Sequence, residues 1–281
     1  MTYYSFSFGS FQFGAGTPYP VTSVQGLEDL PEMRVQDTDR GFNDGMFTGR
    51  DFYSGRRLTF DLLVLAGNGN SAFTNYNLLQ AALIPQQSGT TALNFQLSAD
   101  DAPQTIQARV RARKAAITPD YTFGYIVVQV QMFAPDPRYY DQTVNTVILS
   151  PSATTGRTYN RTYNLTYGGG SLTSTASILN SGTVATGPTI TINGPGSALT
   201  VGNLTTNQLI TINYTSSATD VFVLDLLNKT LTLNGSPARN LMSGLSQWFM
   251  ADPGTSQFYF NASGSVVGQT QATVTWQNAY V

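Results

Sequence analysis

Ala134-Pro135-Asp136-Pro137-Arg138-Tyr139-Tyr140 follows a β-like run from Tyr125 to Phe133 and ends it. Each proline lacks an N–H and biases the residue before it away from the helical region, so two prolines two positions apart make a stiff, extended joint. Composition changes across it. Residues 1–150 hold 10 of the 14 Lys and Arg and 13 of the 16 Asp and Glu, a net of −3. Residues 151–281 hold the other 4 and 3, a net of +1, in a background of Ser, Thr, Asn and Gly. Pro135, Asp136, Pro137, Arg138 and Tyr139 are therefore expected to join two domains, 1–140 and 141–281. At about 150 residues per domain, the length of the chain agrees with two.

Bulk composition removes several function classes. There is no cysteine, hence no disulfide framework and no thiolate chemistry, and no histidine, the commonest general base and metal ligand. Charged residues make up 11% of the chain and the net charge is −2, which leaves no electrostatic footprint for nucleic acid or an anionic membrane. The opening Met1-Thr2-Tyr3-Tyr4-Ser5-Phe6 lacks the charged and apolar regions of a signal peptide, and no apolar run is long enough to span a bilayer as a helix. What remains is a β-rich protein with abundant Gly, Thr, Asn, Tyr and Phe.

In the first half, Phe6, Phe8, Phe11 and Phe13 suggest a hairpin with one aromatic face. Strands are expected over 20–27, 33–37, 56–66, 91–97, 105–117 and 121–133. Asn70-Ser71 can cap a helix over about 70–84, with Phe73, Tyr76, Leu79, Ala82 and Leu83 at helical spacing until Pro85 stops it. Residues 37–55 differ from the rest. They mix both charge signs with Phe42, Phe47, Phe52 and Tyr53, and Asp44-Gly45 suits a tight hairpin turn. Two readings stand open for this stretch: an ordinary long surface hairpin, or an arm that lies on another subunit through Asp39, Arg40, Phe42, Asp44, Gly45, Phe47, Arg50, Phe52 and Tyr53. Strict alternation along 105–117 would put Arg109, Arg111 and Arg113 on one face, a solvated or partner-binding stripe.

The second half runs strand after strand at 8–12 residue spacing between Gly, Asn and Pro turns, the habit of a β-sandwich. Candidates are 158–167, 173–179, 189–193, 199–201, 208–214, 220–226, 230–233, 257–261 and 272–278, with Asn228-Lys229 as a tight turn. Residues 236–256 are long and apolar for a sandwich loop, and Trp248, Phe249 and Met250 make them a candidate docking loop.

The acidic and glycine-rich stretches do not make a catalytic or metal-binding pattern. Asp220 and Asp225 would face opposite sides of one strand, so they cannot form a glycosidase pair. Asp100-Asp101 before Pro103 reads as an Asx turn. Asp37, Asp39 and Asp44 do not have the spacing of a calcium loop, and Gly67-Asn68-Gly69-Asn70 lacks the lysine of a phosphate-binding loop. Asn-x-Ser/Thr triplets at Asn160, Asn164, Asn203, Asn213, Asn228 and Asn261 are what a segment rich in Asn and Thr produces by chance. No catalytic residue, metal or cofactor is implied, and an enzyme is not expected.

The residues do carry a resemblance. Phe6-x-Phe8-Gly9, Val24-Gln25-Gly26-Leu27, the Asp44-Gly45 pair, Tyr53-Ser54-Gly55-Arg56 and Pro135-Asp136-Pro137-Arg138-Tyr139 stand in order in the first half. Leu179-Asn180-Ser181-Gly182, Pro188-Thr189-Ile190-Thr191-Ile192-Asn193-Gly194, Asn203-Leu204-Thr205-Thr206 and the run from Val223-Leu224-Asp225 to Asn234-Gly235 follow in the second. Together they resemble the distal tail proteins of long-tailed bacteriophages, the siphovirus-type tail component family. The resemblance implies a mainly β chain: an N-terminal β-sandwich or split barrel with one helix and a projecting hairpin arm, then a galectin-like β-sandwich. It also implies a hexameric ring that joins the tail tube protein to a tail-tip or tail-associated hub protein in the virion. DNA would pass through the ring without sequence-specific binding, the outer domain would offer a surface to receptor-binding proteins, and nothing would insert into a membrane. The arginine stripe would then face a partner or solvent, since a basic lumen would hold DNA phosphates. The rival readings are a lectin-like adsorption module that contacts host glycan, and the tail tube subunit itself.

Overall fold

In the computed structural model the described residues are 4–98, 100–151, 174–265 and 269–281. The expected strand over 158–167, the start of the one over 173–179, and the Asn160 and Asn164 triplets lie outside them. The chain divides into two compact units, Met1–Gln142 with Tyr280–Val281, and Thr143–Ala279.

The first unit contains β1 (Ser5–Phe8), β2 (Phe11–Gly14), β3 (Val21–Gln25), β4 (Met33–Arg34), β5 (Thr38–Asp39), β6 (Met46–Phe47), β7 (Phe52–Tyr53), β8 (Arg56–Leu65), α1 (Ala72–Ala82), β9 (Thr91–Gln96), β10 (Gln104–Ala116), β11 (Tyr125–Ala134) and β12 (Tyr139–Asp141). Its sheet runs β2-β1-β9-β10-β11-β8-β3, with β12 beside the start of β10. Thirteen-residue β10 is the hinge of this unit. Its residues 104–108 pair with β9, and residues 109–116 pair with β11, so one strand serves both halves. The strictly alternating β8 sends Leu58, Phe60, Leu62 and Val64 inward. Phe6 and Phe13 stack at 5.3 Å, and both meet the Phe60 ring edge-on at 5.4 and 5.5 Å. Each such buried ring contributes about 1.5–3 kcal/mol.

Helix α1 closes one side of this core. Ser71 caps it, accepting from the Thr74 N–H at 3.2 Å, a contact worth about 1 kcal/mol. Its buried face is Ala72, Asn75, Tyr76 and Leu79, continued by Leu83, while Phe73 is half exposed. Asn75 can take a core position because its amide donates to the Leu65 and Gly67 carbonyls.

The second unit contains β13 (Asn145–Leu149), β14 (Ser174–Asn180), β15 (Thr189–Asn193), β16 (Gly196–Asn203), β17 (Gln208–Ser216), β18 (Val221–Asp225), β19 (Thr230–Leu233), β20 (Ser236–Pro237), β21 (Gly254–Ser263) and β22 (Gln271–Trp276); β23 (Ala279–Tyr280) follows at the border of the two units. Two antiparallel sheets, β13-β22-β15-β18-β19-β20 and β14-β21-β16-β17, enclose one core of Ile190, Ile192, Val201, Ile212, Phe222, Phe258 and their neighbours. This is the sandwich that the alternating pattern foretells. Asp225 ties down the Asn228-Lys229 turn through its Oδ1, which accepts from the Asn228 N–H at 2.8 Å.

The first unit ends two residues beyond the expected boundary at 140/141. Pro135–Tyr139 lies inside the first unit, and the chain crosses at Gln142/Thr143 and again at Ala279/Tyr280. The proline segment is fastened there by Arg56, whose Nε donates to the Pro137 carbonyl at 3.1 Å, and Asp136 pairs with Arg138 at 3.0 Å. Tyr280 returns to the same unit. Its ring stacks on Tyr139 at 5.7 Å and its hydroxyl donates to Asp141 at 3.2 Å.

Candidate functional site

Residues 33–53 form two short ribbons in series. Met33 and Arg34 of β4 pair with Tyr53 and Phe52 of β7, and Thr38 and Asp39 of β5 pair with Phe47 and Met46 of β6. The tip is wider than a two-residue turn. Arg40 donates to the Gly45 carbonyl at 3.3 Å, leaving residues 41–44 as the loop, and Gly45 supplies the positive φ that brings the chain back. Lower down, Asp37 accepts from the Gly49 N–H at 2.9 Å. Nearly everything on this arm is exposed: Met33, Val35, Met46, Phe47, Phe52 and Tyr53 are open to solvent, and Phe42 is 102% exposed. Guanidiniums lie over the rings, Arg40 over Phe47 at 5.0 Å, and Arg50 and Arg34 over Phe52 at 5.3 and 5.8 Å. Such pairs hold side chains in place without hiding them.

The root of the arm is as fixed as its tip is free. Arg56 is buried and donates to the Gly26, Leu27 and Asp29 carbonyls as well as to Pro137. Burial pulls this guanidinium below its usual value, opposed by Tyr139, Glu28 and Asp29. Burial in turn raises the Tyr139 phenol. Gly55, one residue earlier, has no room for a side chain, because a Cβ there would stand 2.4 Å from the Phe133 ring and 2.9 Å from the Ala134 carbonyl oxygen.

The arginine stripe is broken by a β-bulge between Val110 and Ala112, where β10 shifts register against β11. One extra residue exchanges the two faces of a strand. Arg113 thereby pairs across from buried Val130 and caps α1, donating to the Gln80 and Leu83 carbonyls at 3.0 and 3.3 Å. Only Arg109 and Arg111 stay on the outer face, at 6.0 and 5.4 Å from the Phe133 ring. Arg57, directly across from Phe133 on β8, joins them. Leu58, Met132, Gln131 and Thr59 complete a concavity of about 630 Å³ with Arg57, Arg111 and Phe133. The Arg109 Nε is buried without an acceptor, and none of the three guanidiniums pairs with a carboxylate among the described residues. Sequence spacing did not give this groove, because it gathers residues from three strands and depends on the bulge.

The expected docking loop corrects the other way. Phe249 is 2% exposed and meets Phe258 edge-on at 5.3 Å, so it belongs to the sandwich core. Trp248 packs against that core with Arg239 over its ring at 5.8 Å, and Met250 is half-buried, its carbonyl accepting from Asn203. Trp276 is buried and donates its indole N–H to the Leu179 carbonyl at 2.9 Å.

Acids gather nowhere to chemical effect. Asp220 accepts from Ser217 and Asn234 at a turn, and these bonds hold its carboxyl below the usual range. Among the described residues no group of three or more acids could hold a metal ion, and no helix is long and apolar enough to cross a membrane.

Residues 181–280 match the model of the siphovirus-type tail component, C-terminal domain. Compared by sequence with curated proteins, the chain matches none. Among solved structures it is similar to the Dit (gp 19.1) protein of phage SPP1, described as a paradigm of the hub adsorption apparatus in phages infecting Gram-positive bacteria. The identity is 13%, the TM-score is 0.67, and 99% of each chain is covered. A chain of the phage P2 baseplate in its activated, calcium-bound conformation is similar at 13% identity and a TM-score of 0.50, over 98% of each chain. Residues 181–280 thus match the siphovirus-type tail component C-terminal domain, and the chain shares the fold of the SPP1 Dit protein.

Proposed function

We propose that this protein is a non-enzymatic structural component of a phage virion, a hexameric ring that joins the distal end of the tail tube to the tail-tip or baseplate machinery. The observation that carries the reading is the arm of residues 33–53. Phe42, Met46, Phe47, Phe52 and Tyr53 stand exposed together on one ribbon, and apolar patches of this kind mark protein–protein contacts. In a ring each arm leaves one protomer and lies on the next, a heterologous contact that closes by rotation. The fold shared with phage hub and baseplate proteins supports the same role. The second unit, a sparsely charged sandwich with both tryptophans engaged, serves as the outer docking domain for adsorption proteins.

Native mass spectrometry of the purified chain, alone and with tail tube protein, tests this. A hexamer is expected, and a chain that stays monomeric under both conditions overturns the ring.

A further inference from the structure

We propose that the groove floored by Phe133 and flanked by Arg57, Arg109 and Arg111 is the receptor for the arm tip of a second copy of this chain. The inference rests on the ring reading and adds where the arm goes.

Three properties of the two surfaces match. The groove has one half-buried aromatic ring, Phe133, at its floor between the Arg57, Thr59 and Gln131 side chains, over the core residues Leu58 and Met132, and a concavity of about 630 Å³, enough for an aromatic side chain and its neighbours. The tip carries Phe42, an aromatic ring with no cover at all. Around the groove stand three guanidiniums without a carboxylate partner among the described residues, while Asp39 and Asp44 flank Phe42 and are exposed. Over residues 33–53 the arm holds four acids, Asp37, Asp39, Asp44 and Asp51, against Arg34, Arg40 and Arg50, a net of −1 with Asp39 and Asp44 at the tip that faces the basic groove. Finally, guanidiniums beside an aromatic floor favour an incoming ring as well as incoming carboxylates, through cation–π contact and bidentate pairing. An arm seated this way covers the exposed rings and supplies the missing acids in one step.

The chain has no cysteine, so single cysteines report contacts without interference. Full-length Asp44→Cys and Gln131→Cys chains, mixed in equal amounts under mild oxidation, are expected to form a disulfide heterodimer. Its yield should exceed by about tenfold that of Asp44→Cys with Asn228→Cys, a surface position of the other unit, and should fall with salt. A yield equal to that control overturns the proposal. Charge exchange gives the second arm: Arg57→Glu with Arg111→Glu, or Asp39→Arg with Asp44→Arg, should each abolish assembly, and all four in one chain should restore it. Failure of the four-fold variant to assemble while each pair assembles normally also overturns it. Closed rings without the Asp44–Gln131 disulfide remove this receptor and leave the ring; the disulfide without closed rings removes the ring and leaves the receptor.

Discussion

Two stretches of this chain look alike on paper and fold in opposite ways. Residues 37–55 and residues 236–256 are both long, turn-rich and apolar for loops. The second is drawn into its own core: Phe249 is buried, Ala251 exchanges two backbone hydrogen bonds with Thr186 at 2.9 Å, and Gln247 and Ser243 donate to the Leu209 and Thr211 carbonyls. The arm bonds chiefly to itself, through the β4–β7 and β5–β6 pairs, and leaves its rings outside. Aromatic density therefore does not distinguish an exposed segment from a core segment. The difference lies in whether the same unit offers a groove and free backbone partners within reach.

The comparison can be broken at four places. Phe249→Ala should have the largest effect, about 3–5 kcal/mol lost from the second unit, since it deletes a fully enclosed ring. Urea denaturation followed by tryptophan fluorescence reads this directly, because both tryptophans lie in that unit. Next comes Arg56→Ala at the root of the arm, which strips several buried carbonyls of their donor and should cost the first unit about 3 kcal/mol. Far-ultraviolet circular dichroism on heating should show that unit melting earlier while the tryptophan signal holds. Gly55→Ala should cost about 1–3 kcal/mol, because the Phe133 ring has to leave its place. Hydrogen exchange at β8 and β11 would rise accordingly, and unchanged exchange would mean that the ring moves freely. Smallest is Phe42→Ala, within about 0.5 kcal/mol for the isolated chain. If that variant destabilised the monomer by several kcal/mol, the arm would be a core element like the other loop.

Sequence reading succeeded where structure is set by near neighbours. The alternation of Leu58, Phe60, Leu62 and Val64 gave β8, and Ser71 marked the start of α1 within two residues. It misplaced Arg113 because a bulge is decided by the partner strand, and one inserted residue reverses every face after it. The boundary expected at 140/141 lies two residues from the crossing at Gln142/Thr143, while the clamp on Pro137 comes from Arg56, 81 residues away, which spacing does not reveal. Phe249 was misread for the same reason, since its partner Phe258 sits across a turn that composition does not reveal. The arm was legible as a surface hairpin or projecting arm, and Phe42, Phe47, Phe52 and Tyr53 are exposed on it.

The last two residues of the chain add a consequence of another kind. Because Tyr280 packs on Tyr139 and Asp141 within the first unit, the stretch 143–279 leaves and re-enters that unit at adjacent points. The sandwich is therefore an insertion in the chain of the first unit, bounded by Gln142 and Tyr280. A short turn from Gln142 to Tyr280 would close the first unit over the gap, and a different insertion spliced at the same two points would leave its sheet untouched.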